Sequence, residues 1–166
     1  MISKFEFTPA SIMKSTAVLA FDVGGVSTTM RPITKLEFEY NRAGERRPKM
    51  EHVGSWVGYN IIREILIHVD FDILGTDTSD YNAKKRLVQN SFSPLNPASI
   101  LSVDYLGTLK LRFDGDTEDI QAPVTLDGDI SMPYVGPAYT SGQMTLIAPD
   151  GYFTGVTTPA NIYYPR

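Results

Sequence analysis

Apolar and polar residues alternate most regularly between Glu64 and Leu74. There Ile65, Ile67, Val69, Phe71 and Ile73 fall on one face, and Glu64, His68, Asp70 and Asp72 on the other. A period of two is what a half-buried antiparallel strand requires. The pattern predicts a strand that is long for a small domain, at about 3.3 Å per residue, and long strands often run past the body to meet a neighbour. A second alternation covers Ile33 to Tyr40, with Ile33, Lys35, Glu37 and Glu39 opposing Leu36, Phe38 and Tyr40. Thr16 to Val23 is a short apolar run ended by Gly24-Gly25, the form of a buried strand entering a turn. Between these patterns and the long strand, Asn41 to Trp56 is polar, basic and broken by glycine and proline, so it reads as a long loop or protruding arm.

Helical spacing occurs once. From Asp80 to Phe92, Tyr81, Leu87 or Val88, and Phe92 recur on one side; Ser79 or Asp80 can cap the start and Ser93-Pro94 ends it. Lys84, Lys85 and Arg86 would then face solvent or a partner, a solvated face being the default for such a run. Strands resume with Thr108 to Phe113, Asp119 to Leu126 and Asp129 to Tyr134, separated by Asp114-Gly115 and Asp127-Gly128, each a hairpin signal. Gln143 to Ala148 is another strand, closed by Pro149-Asp150-Gly151, and Tyr152 to Arg166 carries one more short strand and a trailing segment. The expected fold is mainly β: an antiparallel sandwich or barrel-like domain with one flanking helix and a long protruding loop or hairpin arm. No internal repeat and no linker divides the chain, so residues 1–166 are expected to form one domain.

Composition narrows the function classes. A chain of 166 residues with 42% hydrophobic and 20% charged residues can build one good core. There is no cysteine, so neither disulfides nor thiolate metal sites are available. The longest apolar stretch, Ile61 to Leu74, is interrupted by Arg63, Glu64, His68, Asp70 and Asp72, and cannot span a bilayer as a helix. Met1 to Ala10 lacks a basic region followed by an apolar signal core. A net charge of −4 argues against a duplex nucleic-acid binder, whose binding face needs a basic excess, and no nucleic-acid sequence recognition is expected. The charge is nevertheless polarised: Met1 to Met50 holds eight Lys/Arg against five Asp/Glu, and Asp104 to Ile130 two against seven. Such asymmetry can orient one copy on the next.

Candidate chemistry does not assemble into a reaction centre. Phe21-Asp22-Val23-Gly24-Gly25-Val26-Ser27-Thr28 looks like the first phosphate loop of the sugar-kinase and actin-like ATPases, but that fold needs roughly twice this length, and a Gly-Gly pair is also what a tight turn needs. Asp114 to Asp119 crowds four carboxylates into six residues, yet lacks the EF-hand spacing and reads as an acidic hairpin tip; as a glycosidase pair it has no cleft. His52 and His68 are the only histidines, and no metal-protease or nucleophile motif is present. The expectation is a non-enzymatic protein with no catalytic, metal or cofactor-binding residue. Trp56, Tyr59, Tyr134, Tyr139, Tyr152, Tyr163 and Tyr164 could stack on sugars or anchor protein interfaces.

The order of the pieces resembles the N-terminal domain of the distal tail (Dit) proteins of long-tailed phages. In that family a Gly- and Arg-rich loop precedes a long strand, and a mid-chain helix is followed by a Leu-x-Pro-like turn, here Phe92-Ser93-Pro94-Leu95-Asn96-Pro97. Gly107-Thr108-Leu109, Met132-Pro133 and the closing Leu146 to Phe153 also match, with Gly151 standing where proline is usual. The resemblance spans about Ile33 to Phe153. It implies a virion structural protein, assembled in the host cytoplasm, that forms a hexameric ring joining the tail tube to the baseplate hub or fibres, without the sugar-binding-type C-terminal domain of larger members. Its partners would be itself, the tube protein and hub or fibre proteins. Within the arm, Arg42, Arg46, Arg47, Lys49 and Trp56 are the candidate subunit contacts. A tail-tube or tube-initiator subunit is the alternative within the virion, and a carbohydrate-binding β-sandwich the alternative outside it.

Overall fold

The structure, a computed structural model, describes residues 2–23, 29–48, 55–96 and 105–165, with the backbone alone over 44–48 and 55–60. Among the described residues the strands are β1 (Ile2–Thr8), β2 (Leu19–Phe21), β3 (Ile33–Pro48), β4 (Ser55–Leu74), β5 (Gly107–Phe113), β6 (Ile120–Ser131), β7 (Tyr139–Ala148), β8 (Phe153–Gly155) and β9 (Ile162–Tyr163), and the helix α1 (Thr78–Ser91) lies between β4 and β5. The main path runs β2-β1-β5-β6-β7-β4-β3; β8 pairs with β6 and β9 with β8. Every named strand pair is antiparallel. The expected mainly-β class holds, as a curled half-barrel sheet.

The curl lies in β6. Its first half pairs with β5, Gly107 opposite Val124 through Leu111 opposite Ile120, while its second half pairs with β7 from Thr125 onward. One strand thus serves both halves of the sheet and turns their apolar faces toward each other. The enclosed core takes the whole inward face of β4, with Ile65, Ile67, Val69, Phe71 and Ile73 all at 0% exposure. Burying each such side chain stabilises the fold by roughly 1.5–3 kcal/mol. Phe5 and Phe7 of β1, Leu109 and Leu111 of β5, Val124, Leu146 and Phe153 complete it. The strand β1 carries no expectation from the sequence, although Phe5 and Phe7 alternate with Lys4 and Glu6.

The helix closes one side of the core with Tyr81 and Val88. Its N-cap is Asp77, not Ser79 or Asp80. The Asp77 carboxylate accepts from the Asp80 amide at 2.8 Å, and the Asp80 carboxylate reaches back to the Thr76 amide at 2.9 Å. Only a cap three residues before an acidic side chain permits this reciprocal pair. Lys84 closes it with a 2.5 Å ion pair to Asp80.

Two further expectations are corrected. The Thr16–Val23 run contributes only Leu19–Phe21 to the sheet. Asp127-Gly128 is not a hairpin turn: β6 continues through it to Ser131, with an irregular register against β7 between Asp127 and Ser131. Of the two forms expected for Asn41–Trp56, a loop or an arm, the described residues take the second, with β3 running to Pro48 and β4 beginning at Ser55.

Candidate assembly surface

The region read as a loop or arm is a two-stranded hairpin arm. On the body, β4 lies between β3 and β7, and its pairing with β7 runs from Leu74 opposite Tyr139 to Ile65 opposite Ala148. Beyond Ile65, β4 pairs with β3 alone, Asn41 opposite Glu64 through Pro48 opposite Ser55. Ile62 still packs against the core, so the part of β4 that projects is residues 55–61, roughly 23 Å of strand. A ribbon with no third strand has no core to face, so its residues need not alternate, and the sequence there loses its strand signal.

Of the candidate contact residues, Arg42 is exposed near the arm's base. Arg46, Arg47 and Trp56 all lie on the arm, with Arg47 directly opposite Trp56 in register. Lys49 lies outside the described residues. Register shifts between Asn41 and Arg42 and between Gly44 and Arg46 add twist to the ribbon.

At the base of the arm the surface is concave. Phe38 and Tyr40 of β3, Ile61 and Ile62 of β4, and Tyr152 and Tyr164 line a groove of about 750 Å³, with Arg42 and Asp150 among its polar residues. Ile61 is 55% exposed and Tyr164 50%. The Pro149-Asp150-Gly151 turn forms one wall. Gly151 has φ +74, and a Cβ there would sit 2.8 Å from the Ile62 carbonyl oxygen. Proline, fixed near φ −65°, cannot take this conformation, which gives a physical reason for glycine at this point. The groove went unnoticed in the sequence because it joins β3, β4, the β7–β8 turn and the C-terminal segment.

The acidic segment Asp114–Asp119 is a structural clasp. Glu118 accepts from the amides of Thr157 (2.8 Å) and Thr158 (2.6 Å), from both their hydroxyls (2.7 and 2.5 Å) and from the Tyr163 hydroxyl at 3.2 Å. These donors, those of Thr158 foremost, pull its pKa from 4.5 down to about 2. Asp119 is held by Lys4 at 2.9 Å and Arg112 at 2.6 Å. Burial alone would raise its pKa, but these hydrogen bonds outweigh it and hold the carboxyl below the ordinary range. Because the folded pKa of Glu118 is depressed, its contribution is complete above the ordinary 4.5 and is lost as pH falls toward about 2. The protection factors of the Thr157, Thr158 and Tyr163 amides, taken against the intrinsic rate at each pH, are therefore expected to fall across that window while those of the β4 amides hold. In Glu118→Gln the exchange should already be fast at neutral pH.

The remaining candidates are also occupied by structure. The Asp22 carboxylate accepts from the amides of Thr29 and Arg31, both at 3.0 Å, tying together two parts of the chain nine residues apart; Gly24–Thr28, the rest of that motif, lies outside the described residues. His68 sits on the outer face between Thr145 (3.1 Å) and Glu39 (3.0 Å); His52 lies outside the described residues. Among the described residues no three metal-ligating side chains cluster, and no helix is long and apolar enough to cross a membrane.

No family model matches the sequence, and no curated protein does. Solved structures do match. The chain is similar to a chain in the structure of the phage p2 baseplate in its activated conformation with Sr, at TM-score 0.56 and 11% identity, over 86% of this chain and 43% of that one. The same baseplate with Ca gives TM-score 0.57 at 11% identity, over 88% and 44%. The chain thus spans less than half the length of these chains, and at this identity the likeness is one of fold.

Proposed function

We propose that this protein is a structural, non-enzymatic component of a phage tail tip, a subunit of the Dit type. Its copies form a hexameric ring that joins the tail tube to the baseplate hub or fibres in the virion. The observation that carries the reading is the fold shared with a phage p2 baseplate chain over nearly nine-tenths of the present chain. It agrees with the order of motifs in the sequence, which resembles the Dit N-terminal domain independently of any structure comparison. The projecting arm fits a ring, because a heterologous contact between copies closes by rotation, and a ribbon of arginines and a tryptophan outside the body can reach a neighbour.

Light scattering on the purified 166-residue chain, followed by negative-stain imaging, tests this. The expected species has six times the 18.4 kDa chain mass and a central hole. Open-ended tubes would favour a tube subunit, and a monomer whose melting temperature rises with added oligosaccharide would favour a carbohydrate-binding module. Either result overturns the ring.

A further inference from the structure

The half-barrel carries complementary apolar features at the two ends of β4. At the arm end lies the groove of Phe38, Tyr40, Ile61, Ile62, Tyr152 and Tyr164. At the far end the chain leaves β6 and loops through residues 132–138 before entering β7 beside Leu74. This loop presents Tyr134 at 76% and Val135 at 55% exposure. It is nevertheless pinned. The buried Thr140 hydroxyl donates to the Pro133 carbonyl, the Gly136 amide donates to Tyr139 at 3.2 Å, and the Gly75 amide holds the Ala138 carbonyl at 2.9 Å. An apolar pair held out on a fixed loop loses little conformational freedom on docking, and exposed tyrosine is a favoured interface anchor.

Charge follows the same axis. The arm strands, residues 41–48 and 55–64, carry Arg42, Arg46, Arg47 and Arg63 against Glu45 and Glu64. The far end of β4 and its exit, Asp70 to Asp80, carry four aspartates and no Lys or Arg, and with Lys84 of α1 paired to Asp80 three of these carboxylates are left to set the sign of this end. Knob and groove are separated by about twelve residues of β4, roughly 40 Å, so one copy cannot fill its own groove. We propose that the Tyr134–Val135 knob seats in the arm-base groove of a second copy, whose arginine-bearing arm then lies along the acidic end of the first. The contact is head-to-tail, and on the ring reading above it is the one that closes the ring.

The absence of native cysteine makes the contact directly testable. In a Val135→Cys/Ile61→Cys double variant, a short bis-maleimide joins the two thiols as thioethers. The expected product on a denaturing gel is a ladder of covalent multimers, whereas each single variant gives none beyond dimer. Imaging the same sample separates the two readings. Intact rings without the ladder overturn the knob contact and leave the ring, and a ladder from open chains keeps the contact and sinks the ring. Unlinked monomers overturn both. Tyr134→Glu, at a side chain the fold does not bury, should raise the concentration of half-assembly at least tenfold with an unchanged melting temperature. No change in assembly would count against the knob.

Discussion

Phe71→Ala is expected to cost about 3–5 kcal/mol, a large share of the roughly 5–15 kcal/mol that holds a domain folded. Phe71 is fully buried near the C-terminal end of β4, and its ring meets that of Phe21 edge-on at 5.3 Å. Across the ladder its partner is Gly142 of β7, and the ring lies directly over that glycine: a Cβ at 142 would stand 2.5 Å from the ring's Cζ. The glycine is therefore a matter of space. Gly142→Ala should destabilise by about 1–3 kcal/mol through overpacking, and the same substitution in a Phe71→Leu background should cost less, because leucine vacates the ring's far edge. Chemical denaturation of the four proteins gives the coupling. Additive costs would mean that the ring does not depend on the bare backbone beneath it.

Where a segment faces the core, its residues announced its structure. All five inward positions of β4 follow from alternation alone, and α1 follows from Tyr81 and Val88 at helical spacing with Pro94 beyond its end. Where a segment does not face the core, the signal fails for identifiable reasons. The arm strands pair with each other and with no third strand among the described residues, so Arg46, Arg47 and Pro48 read as loop although they lie in strand register with Val57, Trp56 and Ser55. Asp127-Gly128 misleads because a hairpin turn and a bulge can both demand a left-handed residue; Gly128 has φ +77 inside β6, where the strand bends instead of reversing. The candidate surface divides the same way. The basic composition of the arm strands was legible in the sequence, whereas the groove is built by residues from Phe38 to Tyr164 and exists only once the sheet has curled.

Removing the arm should abolish assembly and leave the fold intact. Ala43 and Ile61 are register partners, so replacing residues 44–60 with Asn-Gly closes the ribbon with a two-residue turn of the kind that suits a hairpin's twist. The excision takes away Arg46, Arg47, Lys49 and Trp56 together and leaves Arg42 and the groove in place. The body should hardly respond, because its core residues on β4 begin at Ile65, where pairing with β7 also begins. The shortened protein is thus expected to melt within a few degrees of the full chain and to elute as a monomer. If it still forms the full-length oligomer, the arm is not the reaching element and subunit contact must lie on the body. In that case the knob variants discriminate again: loss of assembly with Tyr134→Glu alone would place the whole interface at the groove. Loss with either change would instead mean that groove and arm hold the neighbouring copy jointly, the arm binding the acidic end of a partner that the groove has positioned.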